Sequence, residues 1–231
     1  MPAWTTLKEL QPIIESGYKS LGYDDLGDRG YRFLSSPEQT LGADRFIMSI
    51  NPAGNTPDYE NDGMFTDEGT SAYVDERWME APMGSTPLQK QFQALFAYLG
   101  WNPIEVTQAP FSPYRHPSWS KIPSRIRRET AKFCIENIWT PYFQSHVPSE
   151  IICIGKPPAE AICSAYPHDV VSTTAIETGW NNIACRTATI YRFANDAVLI
   201  QIPHLSRFGI MTAECCESQL SKIFEPFLSP D

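Results

Sequence analysis

RFIMSINPAG, residues 45–54, opens as a short strand and closes as a turn. Residues 45–50 (RFIMSI) are almost continuously apolar, and Asn51-Pro52 then breaks the extended run. A strand apolar toward both faces belongs inside a parallel sheet covered by helices, because a strand with one wet face alternates. Three more runs share this reading: residues 105–109 (EVTQA), 151–155 (IICIG) and 198–203 (VLIQIP). Each is apolar or β-favouring and is bounded by Pro, Gly or Asn, which end extended pairing.

Helical periodicity separates these runs. Leu88, Phe92, Leu95, Phe96 and Leu99 share one helix face. Thr86, Pro87 and Gln89 supply a capping box with proline in the first turn, and Gly100 stops the helix. Ser124 is expected to cap a second helix that turns Ile126, Phe133, Cys134 and Ile138 inward and ends before Pro141. Pro157 and Pro158 suit the first turn of a helix reaching about Tyr166. A last helix begins near Thr212 and carries Cys216, Leu220, Ile223, Phe224 and Phe227. Residues 182–193 and 197–202 flank Asn195-Asp196 as a hairpin. Leu7, Leu10 and Ile14 are helix-spaced, but Pro12 interrupts them. Alternating strands and helices predict α/β architecture: a three-layer αβα domain around a central four-stranded, mainly parallel sheet. No repeat, linker or low-complexity tract divides the chain. Residues 1–231 are therefore expected to form a single domain, with a long acidic loop at about 55–87.

The 231 residues are 42% hydrophobic and 19% charged, which excludes a disordered chain. The net charge of −9 argues against a sequence-independent coater of nucleic acid, which would be basic throughout. Six cysteines occur with no C-x-x-C pair, so neither a disulfide framework nor a zinc spacing is present. No apolar run is long enough to span a bilayer, and no signal sequence is visible. The expectation is a cytoplasmic monomer with no membrane association, no metal and no cofactor.

In open α/β sheets, ligands bind beyond the carboxyl ends of the strands. Residues 51–54, 107–115, 155–156 and 204–207 should then share one crevice. No Walker A loop, nucleophile elbow or H-E-x-x-H spacing offers a common alternative chemistry.

SINPAG (residues 49–54) after the first strand and PHLSRFG (residues 203–209) after the last resemble the two signature motifs of the uracil-DNA glycosylase superfamily. TQAPFSPYR (residues 107–115) and IICIGKPPAEAI (residues 151–162) are similar to two further segments of that family, in the same order. The resemblance spans roughly residues 45–227, and it departs from the commoner His-Pro-Ser form at Leu205.

The resemblance implies a glycosylase that flips a nucleotide out of DNA and hydrolyses its N-glycosidic bond. It makes Asn51 the residue that holds the attacking water and His204 the donor to the departing base. An amide oxygen orients water but takes no proton, so such an enzyme leans on leaving-group stabilisation. A neutral imidazole suffices for that donor. The resemblance also implies a base pocket of Pro52, Ala53, Gly54, Phe65, Thr107 and Phe111, with Tyr59 a further stacking candidate. DNA contacts fall to Leu205, Ser206, Arg207 and Phe208, with Lys156, Arg115, Lys121 and Arg125. Leu205, Arg207 and Phe208 are candidates to fill the gap left by the flipped nucleotide. Thr107 stands where uracil readers commonly carry Asn, which argues against strict uracil specificity. Iron–sulfur members have an early cysteine pair, whereas the first cysteine here is Cys134.

Charge is segregated along the chain. Residues 115–132 carry six basic side chains against Glu129, and residues 58–80 carry eight acids against Arg77. The basic stretch suits a phosphate edge. The acidic loop suits contacts to hydroxyls of an enlarged or sugar-bearing base. The expected function is monofunctional glycosylase action on a modified or damaged pyrimidine, leaving an abasic site. Hypermodified phage DNA, such as DNA bearing glucosylated hydroxymethylcytosine, is one substrate. The competing readings are a non-catalytic member that binds DNA or a protein partner through the same crevice, and a nucleoside hydrolase.

Overall fold

The computed structural model describes residues 4, 6–54, 63–78, 80–180 and 186–228. Six strands form one sheet: β1 (Arg45–Ser49), β2 (Thr107–Pro110), β3 (Glu150–Ile154), β4 (Val170–Glu177), β5 (Thr187–Phe193) and β6 (Val198–Ile202). Their order is β2-β1-β3-β6-β5-β4. The β2-β1, β1-β3 and β3-β6 pairs are parallel, and β6-β5 and β5-β4 are antiparallel. The four expected strands are thus the parallel block. The hairpin partner β5 and the edge strand β4 extend the sheet from four strands to six. β4 escaped the sequence reading because its side chains are almost all exposed, so no buried face marks it.

Side chains of the central strands alternate between two cores. Phe46, Met48, Ile151, Cys153 and Leu199 face one; Ile47, Ile152, Ile154, Ile200 and Ile202 face the other. Helix α2 (Pro87–Leu99) buries Phe92, Leu95, Phe96 and Leu99 in the second core. Helix α6 (Glu217–Phe224) adds Leu220, Ile223 and Phe224 there. The opposite face receives α1 (Leu7–Ser20), α3 (Ser124–Cys134), α4 (Thr140–Ser145) and α5 (Lys156–Ala165) through Ile14, Cys134, Phe143 and Ile162. Helices therefore cover both faces of the sheet, as doubly apolar strands require.

Local signals set most boundaries. The Thr86–Gln89 capping box forms, and Gly100 ends α2 at φ 64°, a conformation that costs glycine little. Thr6 and Glu9 form a second capping box at α1. Pro12 is tolerated inside α1 because it and Lys8, whose carbonyl it leaves unpaired, lie on the exposed side. The second helix departs from expectation. Pro123, not Ser124, occupies the cap position, and the helix passes Pro141 into α4. It does so through a π-helical turn, Ile135–Trp139, which leaves Pro141 in a first turn where no N–H is needed. The last helix starts later than Thr212, at Glu217, after a 3₁₀ turn.

The acidic segment packs rather than hangs loose over its described residues. The Gln89 side chain donates to the carbonyls of Ala72 (3.0 Å) and Glu76 (2.8 Å). That of Gln93 donates to Tyr73 (2.9 Å) and Gly84 (2.7 Å). Two glutamines of α2 thus satisfy a stretch of loop backbone and hold it over the sheet end. Among the described residues, no helix is long and apolar enough to cross a membrane.

Candidate active site

Three strand ends meet through the backbone. The Gly155 N–H, just past β3, donates to Ile202 O of β6 at 2.8 Å. Gly155 has φ 102°, and a Cβ there would lie 3.2 Å from the Ile50 side chain and 3.8 Å from that of His204. Glycine lets the turns after β1, β3 and β6 close on one another. The chain after β2 keeps pairing past the sheet. Phe111 N–H donates to Ser49 O (2.8 Å), Ser112 N–H to Ile50 O (2.9 Å) and His116 N–H to Pro52 O (3.2 Å).

These turns surround a cavity of about 680 Å³. Asn51, Pro52, Ala53, Gly54, Arg115, Lys156, His204, Ser206, Arg207 and Phe208 all line it. Asn51 and His204, far apart in sequence, therefore address one space, as the strand-end rule requires.

Asn51 has a defined orientation. Its Nδ2 donates to Pro52 O at 2.9 Å and to His116 O at 2.8 Å. Two carbonyl oxygens accept from the amide nitrogen only, which fixes the amide. Both N–H groups are consumed, and among the described residues nothing donates to Oδ1. Asn51 offers the cavity an acceptor.

His204 offers the opposite. Its Nδ1 accepts from the Ser206 N–H at 3.3 Å and lies 2.8 Å from Ser206 Oγ. A backbone N–H cannot accept, so Nδ1 carries no proton and Nε2 carries it. Burial, and then the nearby Arg207 charge, push the His204 pKa below its ordinary value of 6.5. The ring is a neutral N–H donor held by the next turn of its own loop.

Among the described residues the lining is mostly cationic: Arg32, Arg115, Lys156, Arg186 and Arg207 border the cavity, against Glu76 alone among acids. Glu76 is itself paired with Arg32 at 2.5 Å. Arg115 is buried, and its guanidinium donates to Ala53 O at 3.1 Å, so it braces the Asn51 turn. Lys156 and Arg207 are exposed at the rim, where a polyanion can reach them. Arg186 stacks its guanidinium 4.5 Å over the Phe208 ring. An acceptor, a neutral donor and a cationic wall suit a ligand that gains negative charge while water approaches it.

Several expected site residues lie elsewhere. Thr107 begins β2, at the wrong end of the strand to face the crevice; it is fully buried and donates to Thr40 O. Phe111 is buried in the core against Trp119, at 5.7 Å between ring centroids, and does not line the cavity. Leu205 is 2% exposed and belongs to the core beneath β6, so it is not a free wedge. Phe65 is exposed but away from the cavity. Lys121 and Arg125 lie on the surface outside the lining, and Arg125 pairs with Glu129 at 3.2 Å. Tyr59 falls outside the described residues.

The cavity also holds residues that sequence reading missed: Arg32, Tyr73, Glu76, Trp78, Trp119 and Arg186. Tyr73 lies flat on Phe92, 3.5 Å between centroids, and burial pushes its phenol pKa up. Trp119 is half-buried, packs T-shaped with Phe111 and lines the cavity. Glu76 had a faint signal: it is one acid in an acidic run, with Trp78 two residues on. Arg32 had none, since it follows α1 in an irregular stretch. No protein-family model matches this chain, and no curated protein matches it.

Proposed function

We propose that this protein is a monofunctional DNA glycosylase that hydrolyses the N-glycosidic bond of a flipped, modified or damaged pyrimidine. One observation carries the reading: a free acceptor on Asn51 and a neutral donor on His204 line one cavity with a cationic border. Hydrolysis of this bond needs both groups. Water held by Asn51 Oδ1 attacks C1′ as the C1′–N bond breaks, and the bonding pair leaves with the base. The base departs as an anion, stabilised by the His204 N–H. The water's second proton is lost to solvent once C1′ is bonded, and solvent protonates the base. Asn51 takes no proton, so the rate rests on stabilising the leaving group.

Motif resemblance and the parallel strand block flanked by helices support a reading within the uracil-DNA glycosylase superfamily. Its Ser206 and Arg207 equivalents contact DNA, and here Arg207 and Lys156 stand exposed at the rim. The cavity volume supports a base larger than uracil, including those of hypermodified phage DNA. The partner is DNA, the working unit one chain, and the setting cytoplasmic. Oligonucleotides carrying uracil, hydroxymethylcytosine or glucosylated hydroxymethylcytosine, single- and double-stranded, test this. Alkali-labile sites should appear after incubation with the wild type. Steep salt-dependent DNA binding with no base released from any substrate would instead favour a non-catalytic binder.

A further inference from the structure

We propose that Glu76, held by Arg32, sets the specificity of this site. It selects bases whose reading edge donates hydrogen bonds, through an exocyclic amino group or a hydroxylated substituent, over bases that present a carbonyl. This rests on the glycosylase reading above and names the substrate class within it.

The pair is fixed from several sides. Arg32 Nη1 meets Glu76 Oε1 at 2.5 Å, with the side chains 6% and 15% exposed. Trp78 Nε1 donates to the other oxygen, Oε2, at 3.1 Å. Gln89 of α2 holds the Glu76 carbonyl at 2.8 Å, so the backbone is anchored as well. Both charged residues line the same cavity as Asn51 and His204.

A carboxylate accepts on two oxygens, with about four lone-pair directions, and donates nothing. Among the described residues each oxygen has one partner, which leaves accepting capacity on both. A ligand group facing Glu76 must therefore donate. An amino group at the cytosine N4 position does so, and a carboxylate is its natural partner. A carbonyl in that place sets lone pairs against lone pairs in a buried site. Sites built on a buried polar partner reject the mismatched analogue by up to about 10⁴–10⁵-fold.

Two further observations assign this task to Glu76. Thr107, at the position expected to read the base, is buried in the sheet and bonded to Thr40 O, so it cannot do so. Glu76 is the one carboxylate among the described lining residues. Its negative charge would oppose a base leaving as an anion, and the paired Arg32 guanidinium offsets it.

The test uses the full chain and matched duplexes bearing uracil, cytosine, 5-hydroxymethylcytosine or its glucosylated form at one position. Single-turnover base release should be at least about 100-fold faster for one donor-edged base than for uracil. Glu76→Gln, whose amide can turn an N–H toward a carbonyl, should narrow that ratio by at least about tenfold. Glu76→Asp keeps a carboxylate and should keep the sign of the preference, which serves where Glu76→Gln fails to fold. Uracil released as fast as, or faster than, every donor-edged base overturns this proposal alone. An unchanged ratio in folded Glu76→Gln overturns it too. Release from none of the duplexes overturns the glycosylase reading and this proposal with it.

Discussion

Asn51 Nδ2 donates to the carbonyl oxygen of His116 at 2.8 Å, tying together two turns 65 residues apart. The same nitrogen reaches Pro52 O at 2.9 Å. The two ends of the Asn51 amide therefore differ: the nitrogen ties the site's turns together, and the oxygen is left as an acceptor on a residue that lines the cavity.

Asn51→Asp separates these roles. A carboxylate is the stronger base, but it would press its oxygens against two carbonyl oxygens and forfeit both hydrogen bonds. Leaving such partners unsatisfied costs about 1–3 kcal/mol. The expected outcome is a lower melting temperature together with slower base release. A faster enzyme of unchanged stability would contradict the orientation given to Asn51.

His204 should be observed as the Nε2–H tautomer at neutral pH by nitrogen-resolved NMR of the ring. Ser206→Ala removes the hydroxyl partner but keeps the backbone N–H to Nδ1. One hydrogen bond is worth about 1 kcal/mol, so base release should slow by about fivefold. A ring protonated at Nδ1 would count against His204 as the donor.

Leu205 and Arg207 sit two residues apart and should fail differently. Leu205 is buried in the core beneath β6, so Leu205→Ala should cost about 2–5 kcal/mol of stability. Arg207 is exposed. Arg207→Ala should leave the melting temperature in place, weaken DNA binding and lower the salt slope by about one unit. Denaturant unfolding and salt-dependent binding titrations separate the two outcomes.

What the sequence reveals here follows burial. Central strands such as β3 carry apolar side chains on both faces, and that pattern is legible without partners. β4 pairs through its backbone while its side chains face water, so no buried face marks it, and only the β-branched residues of VVSTTAIE signal a strand. The same logic divides the site. Asn51 and His204 follow strand ends and are found by a topological rule. Thr107 enters the expected site through the motif resemblance, which sets it where uracil readers carry Asn, but it is the first residue of β2 and its side chain is buried in the sheet. Arg32 and Glu76 line the cavity as an ion pair between residues 44 apart in sequence, which no local pattern encodes.

Acidification should destabilise the fold. Burial chiefly lowers the pKa of His116, His146 and His204 below 6.5. With folded values below the unfolded one, their contribution is fully present above about 6.5 and is lost as the pH falls through the folded values. The melting temperature should drop as the pH falls from about 6.5 to about 5, and the drop should shrink in His146→Gln, which lies away from the cavity. A flat profile would contradict this.

The most direct test of the central claim measures free base and abasic sites together, by mass spectrometry, after wild type or Asn51→Ala acts on modified duplex DNA. The account predicts base and abasic sites in equal amounts from the wild type, and a rate at least about 100-fold lower in a folded Asn51→Ala protein. Equal rates in the two proteins, or no base released from any modified DNA, would contradict it.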